Sequence, residues 1–277
     1  IRPYKGLSIE ASFNYSPEFR EQHSYSRPNG MWDYVNNVRY SSSDLAQASV
    51  NNRTSRNYYL TSELLARYNG TFGDHEVGAL VGYTTTQYEA WGWGIQRKNA
   101  TDWILNDLST YSEFTSYNNE ARAGWGLRSY FGRINYAYKD RDLFGANLRA
   151  DGSSKFGSNN RYGIFPSFSA GWKIHEEAFM ENTRSWLSNL KLRASWGQAG
   201  TNMGIGNYAW QALYNTENIV IDGQATTGLY ISSLSNADLK WETTATTDIG
   251  LDMGFFDNRL TAEADYYLKN TRDILYT

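Results

Sequence analysis

The sequence predicts an all-β fold, specifically an antiparallel transmembrane β-barrel segment with long extracellular loops and one short helix near 175–189. Three observations carry this expectation. Apolar and polar residues alternate with period 2 along most of the chain, the pattern of a strand with two different faces. Many of the alternating runs are about 9 to 15 residues long, where strands of soluble proteins cluster near 5 to 6 and a tilted strand needs about 9 to 11 to cross lipid. Short turns and long polar connections alternate, as they do between the two rims of a membrane barrel.

The elements follow in order. Leu7, Ile9, Ala11, Phe13 and Tyr15 share one face of a first strand. In the next, Tyr58, Leu60, Leu64, Ala66, Tyr68 and Phe72 oppose Thr61, Glu63, Arg67 and Asn69. A turn at Phe72-Gly73-Asp74-His75 leads to Val77, Ala79, Val81 and Tyr83. Tyr130, Ile134, Tyr136 and Tyr138 oppose Arg133 and Asn135, and Lys139-Asp140-Arg141-Asp142 turns the chain. Phe144, Ala146, Leu148 and Ala150 then alternate with Asn147, Arg149 and Asp151. Phe168, Ala170, Trp172 and Ile174 form the next strand, and Leu190, Leu192, Ala194 and Trp196 the one after, opposite Lys191, Arg193 and Ser195. Ile249, Leu251, Met253 and Phe255 precede a turn at Asp257-Asn258, where Asn258 is suited to positive φ. Leu260, Ala262, Ala264, Tyr266 and Leu268 complete nine expected strands. The polar segments 16–57, 91–120 and 199–240 are expected to be loops. The stretch from His175 to Asn189 reads as the short helix and falls on the short-turn side.

Composition narrows the function. A net charge of -3 gives no electrostatic case for nucleic acid. No cysteine is present, and the three histidines, His23, His75 and His175, are far apart, so no metal-ligand spacing is seen. No apolar run reaches the roughly 18 residues of a membrane helix. Aromatic content is 16%, with 22 Tyr and 10 Trp, and Tyr136, Tyr138, Trp172, Phe255, Phe256, Tyr266 and Tyr267 gather at strand ends, as in interfacial girdles. Catalysis has little support. Glu176 and Glu177 are adjacent and do not face each other. No Gly-x-Ser-x-Gly elbow is present. Binding has more. Trp91, Trp93 and Trp103 sit in one expected loop, and Tyr208, Trp210 and Tyr214 in another. Exposed flat rings stack on sugar faces, but the same rings also pack loops together. Arg133, Arg149, Lys191 and Arg193 lie on polar faces, where pairing with neighbouring carboxylates is the expected role.

Six segments in one order resemble the SusC/RagA family of TonB-dependent transporters. They are Tyr130 to Tyr136, Leu148 to Gly157, Asn159 to Trp172, Leu190 to Gln198, Leu239 to Thr244 and Phe255 to Thr261. The resemblance is clear from about residue 128 to 277 and general before that. It implies part of a 22-stranded outer-membrane barrel, a SusD-like surface lipoprotein as lid, TonB as energy source through a plug, and a glycan or peptide substrate. Residues 1–277 are then expected to be one partial barrel domain, without plug or TonB box and with too few strands to close the barrel. No cofactor is implied. A soluble all-β carbohydrate-binding module is the alternative, and a β-rich hydrolase the third reading.

Overall fold

The protein is described from a computed structural model covering residues 4–26, 30–41, 48–100 and 107–275, with backbone alone at 30–33, 38–41 and 116–121. The strands are β1 (Leu7–Ser26), β2 (Gly30–Asp33), β3 (Val38–Ser41), β4 (Ser49–Phe72), β5 (His75–Ala100), β6 (Tyr111–Tyr138), β7 (Asp142–Ser153), β8 (Tyr162–Lys173), β9 (Leu187–Thr201), β10 (Leu213–Ile221), β11 (Gln224–Ser233), β12 (Glu242–Phe255) and β13 (Leu260–Arg272). Nine form one sheet in the order β1-β4-β5-β6-β7-β8-β9-β12-β13, while β2-β3 and β10-β11 are separate hairpins. The nine expected strands are those of the large sheet.

Two features differ from expectation. Segments 16–57 and 91–120 are largely strand, because β1, β4, β5 and β6 continue far into them, and 199–240 contains the β10-β11 hairpin. Backbone pairing continues there while apolar residues become sparse, so the hydrophobic alternation that marks a strand fades before the ladder does. The helix near 175–189 is realised as two 3₁₀ segments, Ile174–Glu176 and Ala178–Thr183. Glu177 between them is extended (φ -72, ψ 146) and interrupts propagation. From Leu187 the backbone pairs with β12 instead. The turns behave as read. Lys139 and Asp140 both take positive φ, a type I′ hairpin closed by the Arg141 N–H donating to the Tyr138 carbonyl at 2.9 Å. Asn258 also has positive φ.

Contacts divide the chain into two compact units, Ile1–Phe13 with Thr61–Thr86 and Trp125–Thr277, and Asn14–Leu60 with Gln87–Gly124. In the second, Ala48, Val50, Ala100 and Tyr111 are buried together, with Leu108 against them. In the first, cross-strand register fixes two faces, since directly paired residues project to the same side. Ile134, Ala146 and Phe168 form one such row and Phe168 continues to Trp196. Ala170, Ala194, Ile249 and Tyr266 form the next, and Trp172, Leu192, Leu251 and Ala264 another. The result is a predominantly apolar face across β6, β7, β8, β9, β12 and β13, with Thr247 standing between Trp196 and Leu268. The opposite face carries Arg133, Asn147, Ser167, Ser195, Asp248 and their neighbours.

Near the ends of β7, β8 and β12 the polar side also holds a small apolar core. Phe156 is fully buried with Phe165, Ile205 and Trp241, and Leu127, Leu239 and Leu275 pack against them. Phe165 enters because Gly163 and Gly200 leave room: a Cβ at Gly200 would lie 2.0 Å from Phe165 Cζ, and one at Gly163 2.4 Å away. Gly200→Ala is therefore expected to destabilise by about 1 to 3 kcal/mol through overpacking. Gly206→Ala, where a Cβ would meet open space, is expected to be near neutral. Thermal unfolding in detergent checks both, and Phe165→Leu added to Gly200→Ala should recover part of the loss.

Candidate functional site

On the polar face of the first unit, an open hollow of about 1020 Å³ lies among β4 to β9, β12 and the residues just before β1. Asn69, Asn135, Ser169, Lys191, Ser195 and Asp248 are among its lining residues. Five glycines, Gly6, Gly70, Gly78, Gly145 and Gly171, also lie along it. Their missing side chains let the hollow reach the backbone, and a Cβ at Gly145 would crowd the Ser169 hydroxyl at 2.6 Å. A second hollow of about 460 Å³ is lined by Arg133, Asn147, Ser167 and Trp196, among others. Such a surface offers hydrogen bonds to a polar partner without a strong field of either sign.

The charged rows beside the hollow are internally paired. Arg193 meets Asp252 at 2.7 Å and Asp265 at 3.0 Å. Register explains the second contact. Arg193, Gly250 and Asp265 occupy one cross-strand row, and the guanidinium reaches β13 by passing over the glycine. A Cβ at Gly250 would sit 2.3 Å from Asp265 Oδ1 and 2.8 Å from Arg193 Cζ. Arg149 donates through Nε to both oxygens of Asp151 (2.7 and 2.8 Å) and through Nη2 to Ser129 Oγ (2.9 Å). Asp151 and Ser129 are both buried. These two arginines thus serve the wall itself, as their alternation suggested.

The Asp151-Gly152-Ser153-Ser154-Lys155-Phe156 run does more than end a strand. Ser153 Oγ accepts from Asn202 Nδ2 at 2.9 Å, and Lys155 Nζ donates to the Ile205 carbonyl at 3.2 Å. Trp241 Nε1 donates to the Arg161 carbonyl, and Asn160 Nδ2 to that of Asp238. These bonds tie the β7–β8 connection to the long β9–β12 connection over the Phe156 core. Sequence reading missed this tie. Its signal was the apolar Phe156 among Gly, Ser and Lys, which alternation alone does not interpret.

The candidate ligand rings are dispersed. Trp91 and Trp93 lie on β5, not in a loop, two residues apart. Trp91 lies beneath the Arg56 guanidinium at 5.9 Å, while Trp93 is 45% exposed. Trp103 lies outside the described residues. Tyr208 is exposed in the turn before β10, and Tyr214 is 62% exposed on β10. Trp210 donates its Nε1–H to the Ser154 carbonyl at 3.3 Å, which places it in the tie just described. The two groups of rings fall in different units. The adjacent acids are also placed. Glu177 accepts from Arg141 at 2.9 Å and from Trp172 Nε1 at 3.0 Å, and Glu176 faces His175. Among the described residues, no three His, Cys, Asp or Glu side chains gather as a metal site requires.

Comparison with known proteins places these features in a family. Residues 3–277 match the family described as TonB dependent receptor-like, beta-barrel. A TonB-dependent receptor of Formosa agariphila is 38% identical over 220 residues, covering 77% of this chain and 22% of its own length. The TonB-dependent receptor SusC of Bacteroides thetaiotaomicron is 33% identical over 231 residues, covering 80% of this chain and 22% of its own. The structure of the RagAB peptide transporter superimposes with a TM-score of 0.85 at 30% identity, over 99% of this chain and 29% of that one. The chain thus spans about a fifth of the length of these curated relatives.

The Arg193 row yields a test. Gly250→Ala is expected to push the guanidinium off Asp265 and cost about 1 kcal/mol, the scale of a charge-assisted bond at a half-exposed site. In an Asp265→Ala background the same glycine change should cost less. A double-mutant cycle of unfolding free energies in detergent measures the difference.

Proposed function

The chain belongs to the TonB-dependent receptor-like β-barrel family, and from that premise we propose that residues 1–277 form one stretch of the barrel wall of an outer-membrane importer. The observation that carries this reading is the predominantly apolar face shared by β6, β7, β8, β9, β12 and β13, backed by a polar face with internally paired charges. A soluble protein rarely exposes more than a few hundred Å² of contiguous apolar surface, so the same face counts against a soluble carbohydrate-binding module. In lipid it is the expected outer surface of a barrel. The two end strands of the sheet, β1 and β13, then pair with further wall strands, since unpaired peptide groups are costly in lipid.

Import in this reading is driven by TonB through a plug, and a SusD-like surface lipoprotein covers the outer rim. The cargo is a glycan or a peptide; similarity to a peptide transporter supports the second and similarity to SusC is compatible with either. The exposed rings Trp93, Tyr208 and Tyr214 are proposed as ligand contacts, with Trp91 and Trp103 in the same role. Trp210 contributes by holding its connection in place. No catalytic step is assigned.

Cells producing the full-length protein should carry it in the detergent-extracted outer-membrane fraction and take up labelled oligosaccharide or oligopeptide only when TonB is present. Recovery in the soluble fraction, or uptake indifferent to TonB, would overturn the reading. Alanine at Trp93, Tyr208 or Tyr214 is expected to weaken ligand binding in a titration while leaving thermal unfolding unchanged.

A further inference from the structure

The connection between β8 and β9 is longer than its position requires. At the same end of the sheet, residues 73–74 join β4 to β5, 139–141 join β6 to β7, and 256–259 join β12 to β13. Residues 174–186 join β8 to β9, although Lys173 and Lys191 are direct cross-strand neighbours. The extra residues are tied to the apolar side at both ends. Trp172 belongs to the apolar face by register, and its Nε1–H is held by Glu177 at 3.0 Å. Trp186 stacks on Phe255 with ring planes 13° apart, and Phe255 pairs with Leu260 on the same face. The Phe256 N–H donates to the Trp186 carbonyl at 2.9 Å, which fixes this end to the β12–β13 turn. Between these anchors Phe179 is 66% exposed, and Trp186 at the second anchor is itself 46% exposed.

We propose that this connection is a lipid-binding foot, whose Phe179 and Trp186 rings enter the headgroup region of the phospholipid leaflet on the short-turn side. The inference rests on the membrane reading above and adds a contact outside the strands. Its occupant follows from continuity, because the anchors Trp172 and Trp186 sit against the apolar face that in that reading meets lipid. Aromatic rings favour that depth, where an apolar body and a polar edge are both accommodated. The foot carries acids (Glu176, Glu177, Glu181) as well as bases (His175, Arg184). The partner is therefore a zwitterionic phospholipid rather than an anionic one.

The test uses the full-length protein in a cysteine-free background, with Phe179→Cys carrying an environment-sensitive fluorophore, reconstituted in phosphatidylethanolamine/phosphatidylcholine vesicles. Nitroxide lipids labelled near the headgroup should quench it more strongly than lipids labelled at the acyl terminus, and aqueous iodide should quench it weakly. Strong iodide quenching without nitroxide quenching would sink the proposal, as would protection from both, which would mean a protein covers the site. Ala146→Cys on the apolar face serves as the companion. If Ala146→Cys is quenched by deep nitroxides and Phe179→Cys by none, only the foot fails; if neither is quenched by lipid, the membrane reading fails with it.

Discussion

Everything in this wall depends on cross-strand register. In lipid each peptide N–H and C=O must find its partner within the sheet, because no water is available to replace it. The ladder therefore fixes which residue stands opposite which, and side-chain direction alternates residue by residue. A slip of one position would turn Leu192, Ala194 and Trp196 inward and Lys191, Arg193 and Ser195 out into lipid. The cost of placing two cations there is what holds the register. Arg193 adds a positive determinant, since its reach to Asp265 exists only when Gly250 stands between them.

The two ends of the strands are built differently from the middle. At the short-turn end, ion pairs link successive turns: Lys139 with Asp74, Lys173 with Asp140, and Arg141 with Glu177. The hydrogen bond to Asp142, with the nearby Glu177 charge, holds the Arg141 guanidinium above its ordinary pKa, so it stays charged. At the other end, connections are long and are held by apolar burial and side-chain-to-backbone bonds around Phe156 and Trp241. Screened ion pairs suit short, shallow turns, while long connections need a core of their own to become ordered. Exposed side chains on these connections are then carried on an ordered base.

Much of the fold was legible from residues alone. All nine wall strands showed in the alternation, because one face meets apolar surroundings and the other does not. The turn at Lys139-Asp140 showed as a charged break between two alternating runs, and that at Asn258 through a residue that tolerates positive φ. The extent of β4, β5 and β6 did not show, since hydrophobic alternation reports a difference between faces and weakens where apolar residues are sparse. The short helix near 175–189 showed in its composition, but its division into two 3₁₀ segments and its end before Leu187, where pairing with β12 begins, did not. Among the ring candidates, sequence could not separate Trp210, whose indole N–H is spent on the Ser154 carbonyl, from Trp93, which is exposed. Exposure and partner are properties of neighbours brought from elsewhere in the chain.

The sequence by itself determined the class of strand, its two faces and its family, because these follow from local periodicity and from motifs written in adjacent residues. Only the tertiary structure decided that Gly250 makes way for the Arg193–Asp265 contact, that Gly163 and Gly200 admit Phe165, and that the β8–β9 connection lies along the apolar rim. Each of these joins residues from different strands or turns through van der Waals or hydrogen-bond distance. Distance of that kind is set by register and packing, and no local pattern encodes it.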